Sequence, residues 1–225
     1  MIITIDGPAG SGKSTVAKRV AHKLSFIYFD TGAMYRAVTY CILKEHIDLH
    51  DEDKVQSMLD RFIFDIRIIA GKEHYYVGTI DVTEKIREQT ITALVSEVSA
   101  LAVVRKILVA MQRRFAHNMN AVFEGRDIGT KVFPQAELKI FLTASPEIRA
   151  ERRFLEIKGK QSKRKKMTLT QEMVLADIIR RDTYDSSRAI SPLCQAEDAV
   201  LVDTSGLSID AVIDKIVLYA EGLVS

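Results

Sequence analysis

Gly7-Pro8-Ala9-Gly10-Ser11-Gly12-Lys13-Ser14 follows the β-branched run Ile2-Ile3-Thr4-Ile5 and precedes Val16, Val20 and Leu24, which recur at helical spacing with Ala17 and Ala21 beside them. The pattern G-x-x-x-x-G-K-[ST] between a strand and a helix is a phosphate-binding loop. Its glycines let backbone N–H groups turn inward onto phosphate oxygens, with a helix N-terminus behind them. Lys13 is placed to reach the β- and γ-phosphates of a nucleoside triphosphate, and the Ser14 hydroxyl to ligate Mg²⁺.

Outward from this loop, strands alternate with helices, which predicts an α/β fold with a parallel sheet. Strands are expected at Phe26 to Phe29, Ala121 to Phe123, Leu138 to Leu142 and Ala199 to Val202. One helix starts at Asp30-Thr31-Gly32 and carries Met34, Val38, Cys41 and Ile42. A final amphipathic helix carries Ile209, Val212, Ile213, Ile216 and Val217. One region breaks the alternation. Phe62 to Ile69 and Tyr75 to Val82 read as two strands of an antiparallel hairpin joined across Ala70-Gly71-Lys72-Glu73, and a long helical stretch from Ile91 to Met111 follows. Lys158 to Lys166, KGKQSKRKK, reads as a solvated basic loop between helices, with nucleic-acid binding as the alternative.

The 225 residues suit one core with small inserts. A net charge of +2 supplies no global pull toward nucleic acid or an anionic membrane. Cys41 and Cys194 set no disulfide framework and are expected to pack as small apolar residues. His46 and His50 lack a third ligand for a metal. No signal peptide and no membrane-length apolar stretch is evident, so a cytoplasmic protein is expected, with a monomer as the default.

A phosphate-binding loop does not by itself choose among kinase, motor, switch and transporter. Three further stretches narrow the choice. Asp30-Thr31-Gly32-Ala33-Met34-Tyr35-Arg36 places Thr31 and Tyr35 on one helical face, with Arg36 beside them. Glu124-Gly125-Arg126-Asp127-Ile128-Gly129-Thr130 follows a strand, where ligands of open α/β sheets bind. Arg180-Arg181-Asp182, Asp185 and Arg188 add charge near the carboxyl end. Arginine offers planar bidentate donors to phosphate, so the set points to a second phosphate-bearing substrate.

The stretches DTGAMYR, EGRDIGT and RRDTYDSSRAISPL, together with the loop, resemble bacterial-type cytidylate kinases, which are nucleoside monophosphate kinases. The resemblance covers nearly the whole chain. It implies a P-loop kinase with a five-stranded parallel sheet flanked by helices, a small antiparallel monophosphate-binding insert over residues 58–98 and a mobile lid over 152–188, all within a single domain. It implies ATP and CMP or dCMP as substrates, Mg²⁺ as cofactor, and neither nucleic acid nor membrane as partner. Gly7 to Thr15 would hold ATP, with Arg152 and Arg153 where the lid begins. Ser96, Arg105 and Asp127 would contact cytosine. Thr31, Tyr35, Arg36, Arg126 and Arg188 would lie around the CMP sugar and phosphate, and Arg181 and Asp185 would bind ribose or phosphate from the lid side. Lys13, Arg126, Arg181 and Arg188 would stabilise the transferring group. This chain has Ser14 where the family often has glycine, and Glu124 where it often has aspartate. Its lid is longer and more basic than usual.

Ser96 and Arg105 are nine residues apart and would fall on opposite sides of one straight helix. If both touch one base, the helix breaks between them, and an interruption is predicted near Ala100 to Val104. Two rivals remain from the residues themselves. One is a kinase of similar architecture with another acceptor. The other is a GTP-dependent switch, which lacks its N-K-x-D motif here.

Overall fold

The computed structural model of the chain describes residues 1–160 and 169–223. Two compact units are present, one of Met1–Phe29 with Asn118–Ser225 and one of Asp30–His117. In chain order, β1 (Ile2–Asp6), α1 (Lys13–Leu24) and β2 (Ile27–Asp30) open the first unit. The second unit holds α2 (Thr31–Lys44), α3 (Glu52–Asp60), β3 (Phe64–Ile69), β4 (Lys72–Val77), β5 (Ile80–Asp81), α4 (Gln89–Val98) and α5 (Ala102–Phe115). The chain then returns to the first unit through β6 (Ala121–Gly125), β7 (Leu138–Thr143), α6 (Pro146–Lys160), α7 (Gln171–Ser187), β8 (Val200–Asp203) and α8 (Ile209–Glu221).

The first unit is built on a five-stranded parallel sheet of order β2-β6-β1-β7-β8. β1 is central, so its alternate side chains serve two faces. Ile3 and Ile5 pack with Val16, Val20, Val122, Ile140, Leu142, Ile213 and Ile216, which places α1 and α8 over one face. Thr4 and Asp6 point to the other face, where Ile128–Val132 forms a short π-helical turn after β6. That face also carries a run of aromatic rings. Phe29 stacks on Phe123 at 4.6 Å, and Phe123 meets Phe133 at 4.6 Å. The expected strands at Phe26 to Phe29 and Ala199 to Val202 each lie one residue later, as β2 and β8. α8 starts on Ser208, whose Oγ accepts from the Ala211 N–H.

The second unit gathers α2, α3, α4 and α5 around Met34, Val38, Ile42, Val55, Met58, Phe64, Tyr75, Val98, Val104 and Leu108. Asp30 caps α2 by accepting from the Ala33 N–H at 3.0 Å. The hairpin is present with a tighter turn than expected. β3 and β4 pair from Phe64↔Val77 to Ile69↔Lys72, so only Ala70-Gly71 joins them, both with positive φ. Those are the dihedral signs of a two-residue type I′ turn. The predicted second strand is two strands, because Gly78 takes φ +57 after Val77 and the chain reverses to pair Val77↔Ile80. Half-burial holds only near the hairpin's base. Phe64 is buried, whereas Ile68 near the tip is 68% exposed. The helix does break between Ser96 and Arg105, at Ser99–Leu101, slightly before the predicted position, and α5 has already begun at Ala102.

Among the described residues, no helix is long and apolar enough to cross a membrane. Cys41 is buried, and burial pushes its thiol up to about 11. Cys194 is exposed and so does not pack as the composition suggested. Most of Lys158 to Lys166 lies outside the described residues; within α6, Lys158 Nζ stands 5.5 Å from the Phe154 ring centroid.

Candidate active site

In the first unit, β1 leads into the phosphate-binding loop and α1 leaves it. Gly7 has φ +149, and a Cβ built there would lie 2.0 Å from the Leu142 carbonyl oxygen of β7. Only glycine fits between these two strand ends. Gly10 (φ +76) and Gly12 (φ +93) provide the left-handed turns that follow. Inside the loop, Ser11 Oγ donates to the Pro8 carbonyl at 3.0 Å, and Lys13 Nζ donates to the same oxygen at 2.7 Å. Lys13 is buried, and burial together with the Arg126 cation pulls its ammonium down to about 7, with Glu124, Asp6 and Asp185 acting in the opposite sense. A buried ammonium in this setting gains from any polyanion delivered to the loop.

Beyond β6 and α7 lies a group of charges that the sequence placed near an acceptor phosphate. Asp185, buried, accepts from Arg126 Nε at 3.1 Å on one oxygen and from Arg188 on the other. Its backbone carbonyl also accepts from the Leu193 N–H. Burial and the Arg126 cation lower the proton affinity of Arg181. The structure therefore joins Arg126 and Arg188 through Asp185, with Arg181 within electrostatic reach of Arg126 and Asp185, and Lys13 feels the charges of Arg126 and Asp185. Asp127 lies buried at the start of the π-helical turn, its carbonyl accepting from the Lys131 N–H at 2.9 Å. Arg152 is anchored rather than loose. It donates to Thr204 Oγ1 at 2.9 Å and to the Thr204 carbonyl at 2.8 Å, and Thr204 Oγ1 in turn donates to the Thr143 carbonyl at 3.0 Å. Arg153 pairs with Glu156 on its own helix.

In the second unit, Thr31 and Tyr35 are both buried on α2, as their shared face implies. Arg36 donates to Thr92 Oγ1 at 2.8 Å, tying α2 to α4. The break between α4 and α5 is closed by its neighbours. Ser99 Oγ donates to the Ser96 carbonyl at 2.9 Å, and Arg105 Nη1 donates to the Ser99 carbonyl at 3.1 Å. The Arg105 guanidinium lies 5.5 Å from the Tyr35 ring centroid, a cation–π contact.

Three features of the site go beyond the sequence reading. Asp6, 5% exposed, accepts from the backbone N–H groups of Ile128 (2.9 Å) and Gly129 (2.7 Å), fixing the turn after Asp127. Burial raises its carboxyl to about 6 against those two hydrogen bonds. The one available signal was an acid ending an otherwise uncharged strand. Glu124 is buried and accepts from the Tyr28 hydroxyl. Arg149 and Asp182 form a third case. Asp182, read as one more charge near the acceptor, is turned to the phosphate-binding loop instead.

No group of three or more His, Cys, Asp or Glu able to hold a metal occurs among the described residues. Mg²⁺ suits such a site, because it commonly takes one or two protein oxygens and completes its shell with phosphate and water. Ser14, exposed in the first turn of α1, and the Glu124 carboxylate are donors of the right hardness.

The cytidylate kinase family model matches residues 3–222. A cytidylate kinase of Protochlamydia amoebophila is 54% identical over 98% of this chain and 96% of its own length. One from Carboxydothermus hydrogenoformans is 50% identical over 96% and 95%. A bifunctional pantoate ligase/cytidylate kinase of Prochlorococcus marinus is 48% identical over 96% of this chain and 42% of its own length. An uncharacterised protein from Eubacterium ventriosum has the same fold, with a TM-score of 0.53 at 12% identity and 98% coverage of both chains. With a full-length family match, relatives at half identity, and the loop and arginine group in place, the chain belongs to the cytidylate kinase family.

Proposed function

We propose that the protein transfers the γ-phosphoryl group of Mg²⁺-ATP to CMP or dCMP, giving CDP or dCDP and ADP. The observation that carries this reading is the gathering of Arg126 and Arg188 on Asp185, with Arg181 within electrostatic reach of Arg126 and Asp185, in the same unit as the loop and Lys13. A site for one triphosphate needs the loop; the extra guanidinium groups suit a second phosphate.

Within the first unit, Gly7 to Thr15 would hold the donor phosphates, and Arg152, fixed on Thr204, would flank them. Ser14 and Glu124 would face Mg²⁺, Glu124 through bound water; when bound, the ion neutralises charge on the β- and γ-phosphates. Arg126, Arg181 and Arg188 would hold the acceptor phosphate and the transferring group, and Asp127 would accept from a cytosine amine. Residues 152–188 are proposed as the lid region. Within the second unit, residues 58–98 are proposed as the monophosphate-binding insert. Thr31, Tyr35, Arg36, Ser96 and Arg105 would meet CMP.

The attacking group is a phosphate oxygen that is already anionic near neutral pH. No side chain has to remove a proton, so catalysis rests on alignment and charge neutralisation. The test is ADP formation from Mg²⁺-ATP with CMP, dCMP, UMP, AMP, GMP or no acceptor. Rapid turnover with CMP and dCMP and little with purines is expected. Turnover independent of any nucleotide acceptor would overturn the proposal.

A further inference from the structure

Both backbone polar groups of Ala9, in the middle of the phosphate-binding loop, are taken by side chains from far along the chain. Its N–H donates to Asp182 Oδ1 at 3.4 Å, and its carbonyl accepts from Arg149 Nη1 at 3.0 Å. The two side chains are themselves paired, Arg149 Nη1 to Asp182 Oδ2 at 2.5 Å. Arg149 is 4% exposed, and its Nε is fixed on the Ala144 carbonyl at 2.9 Å. The next loop residue lies directly on the same helix. A Cβ at Gly10 would meet both Arg149 Cβ and the Arg149 carbonyl oxygen at 3.2 Å.

A glycine-rich loop has many backbone states, and only those with its amides aimed at the ligand bind phosphate. Affinity falls in proportion to the fraction of competent loop. A buried ion pair adds little net stability over an apolar pair of similar volume, so its contribution here is orientation. Asp182 and Asp185 are three apart on α7 and share a face. One carboxylate grips the loop and the other gathers Arg126 and Arg188.

We propose that Arg149 and Asp182 are positioning residues for the phosphoryl donor. Their pair fixes Ala9 and with it the loop's phosphate-facing amides, and α7 sets that loop and the arginine group in one frame. The inference rests on the loop being the ATP site.

The test compares Asp182→Asn, Arg149→Lys, Arg149→Met and the double variant Arg149→Met/Asp182→Leu, which removes the pair without leaving a lone buried charge. Steady-state kinetics and calorimetric ADP binding are the readouts. The expected result is a rise of about tenfold in the KM for ATP and the Kd for ADP, with the KM for CMP within about twofold, consistent with loss of a charge-assisted hydrogen bond. Arg149→Lys should recover part of what Arg149→Met loses. The double variant should melt near the wild type yet keep the raised KM for ATP. A double variant with wild-type KM for ATP, or equal rises for ATP and CMP across the set, overturns the proposal. Wild-type protein without ATP turnover would remove the reading of the loop itself, whereas active wild type with unmoved variants removes only the pair.

Discussion

Replacing Asp6 with asparagine tests how a charge is carried inside the sheet. Asp6 ends the central strand, is 5% exposed and holds the Ile128 and Gly129 N–H groups. Burial outweighs those hydrogen bonds and raises its carboxyl from 3.8 to about 6. Below about pH 4 the group is protonated in both folded and unfolded chains. Between about pH 4 and 6 the unfolded chain releases a proton that the folded chain keeps, so rising pH favours unfolding. Above about 6 both forms are ionised and the effect is complete. A change from 3.8 to about 6 corresponds to about 3 kcal/mol, at about 1.4 kcal/mol per tenfold change in proton affinity. Asparagine fills the same space without titrating. Urea unfolding of both proteins in half-unit steps from pH 4 to 7.5 should show the wild type losing most of that ~3 kcal/mol, about 2.5 kcal/mol, relative to Asp6→Asn across the window. Stability curves that stay parallel with pH would refute the reasoning, because they would mean that Asp6 keeps its ordinary proton affinity in the fold.

Lys13→Ala should lower turnover by about a hundredfold or more, since it removes a preorganised cation from the developing charge. Near wild-type turnover would end the central role of Lys13. Asp127→Ala should act mainly on the acceptor, raising the KM for CMP about tenfold with the KM for ATP within about twofold. Gly7→Ala should yield little folded protein, because its Cβ would stand 2.0 Å from the Leu142 carbonyl at φ +149; a normal melting curve would contradict that geometry. Ala70→Asn should stabilise the hairpin by about 0.5 kcal/mol and raise the melting temperature by about 1–2 °C, because asparagine tolerates positive φ at a type I′ turn better than alanine.

What was legible in the sequence was local chemistry. The loop declared itself because its spacing, its preceding strand and its following helix all lie within the first 24 residues. The break near Ser99 was foreseeable because two roles nine residues apart conflict with the helical period. The hairpin's pattern was readable. Its third strand was not, since it depends on Gly78 reversing the chain inside a continuous β-like run. The residues that shape the loop from outside gave no pattern at all. Arg149 and Asp182 meet Ala9 across 140 and 173 residues of chain. Asp182 sits in a run of charges where nothing local distinguishes a residue that faces a substrate from one that grips backbone.

The chain leaves the first unit at the end of β2 and returns just before β6, and these strands are neighbours in the sheet. The Ile27 N–H is bonded to the Asn120 carbonyl at 3.0 Å, and Phe29 stacks on Phe123. Departure and return are thus already stitched together inside the nucleotide-binding platform. A segment hung between two such points behaves as a cassette. It can lengthen, shrink or be exchanged without disturbing the register of a single strand pair.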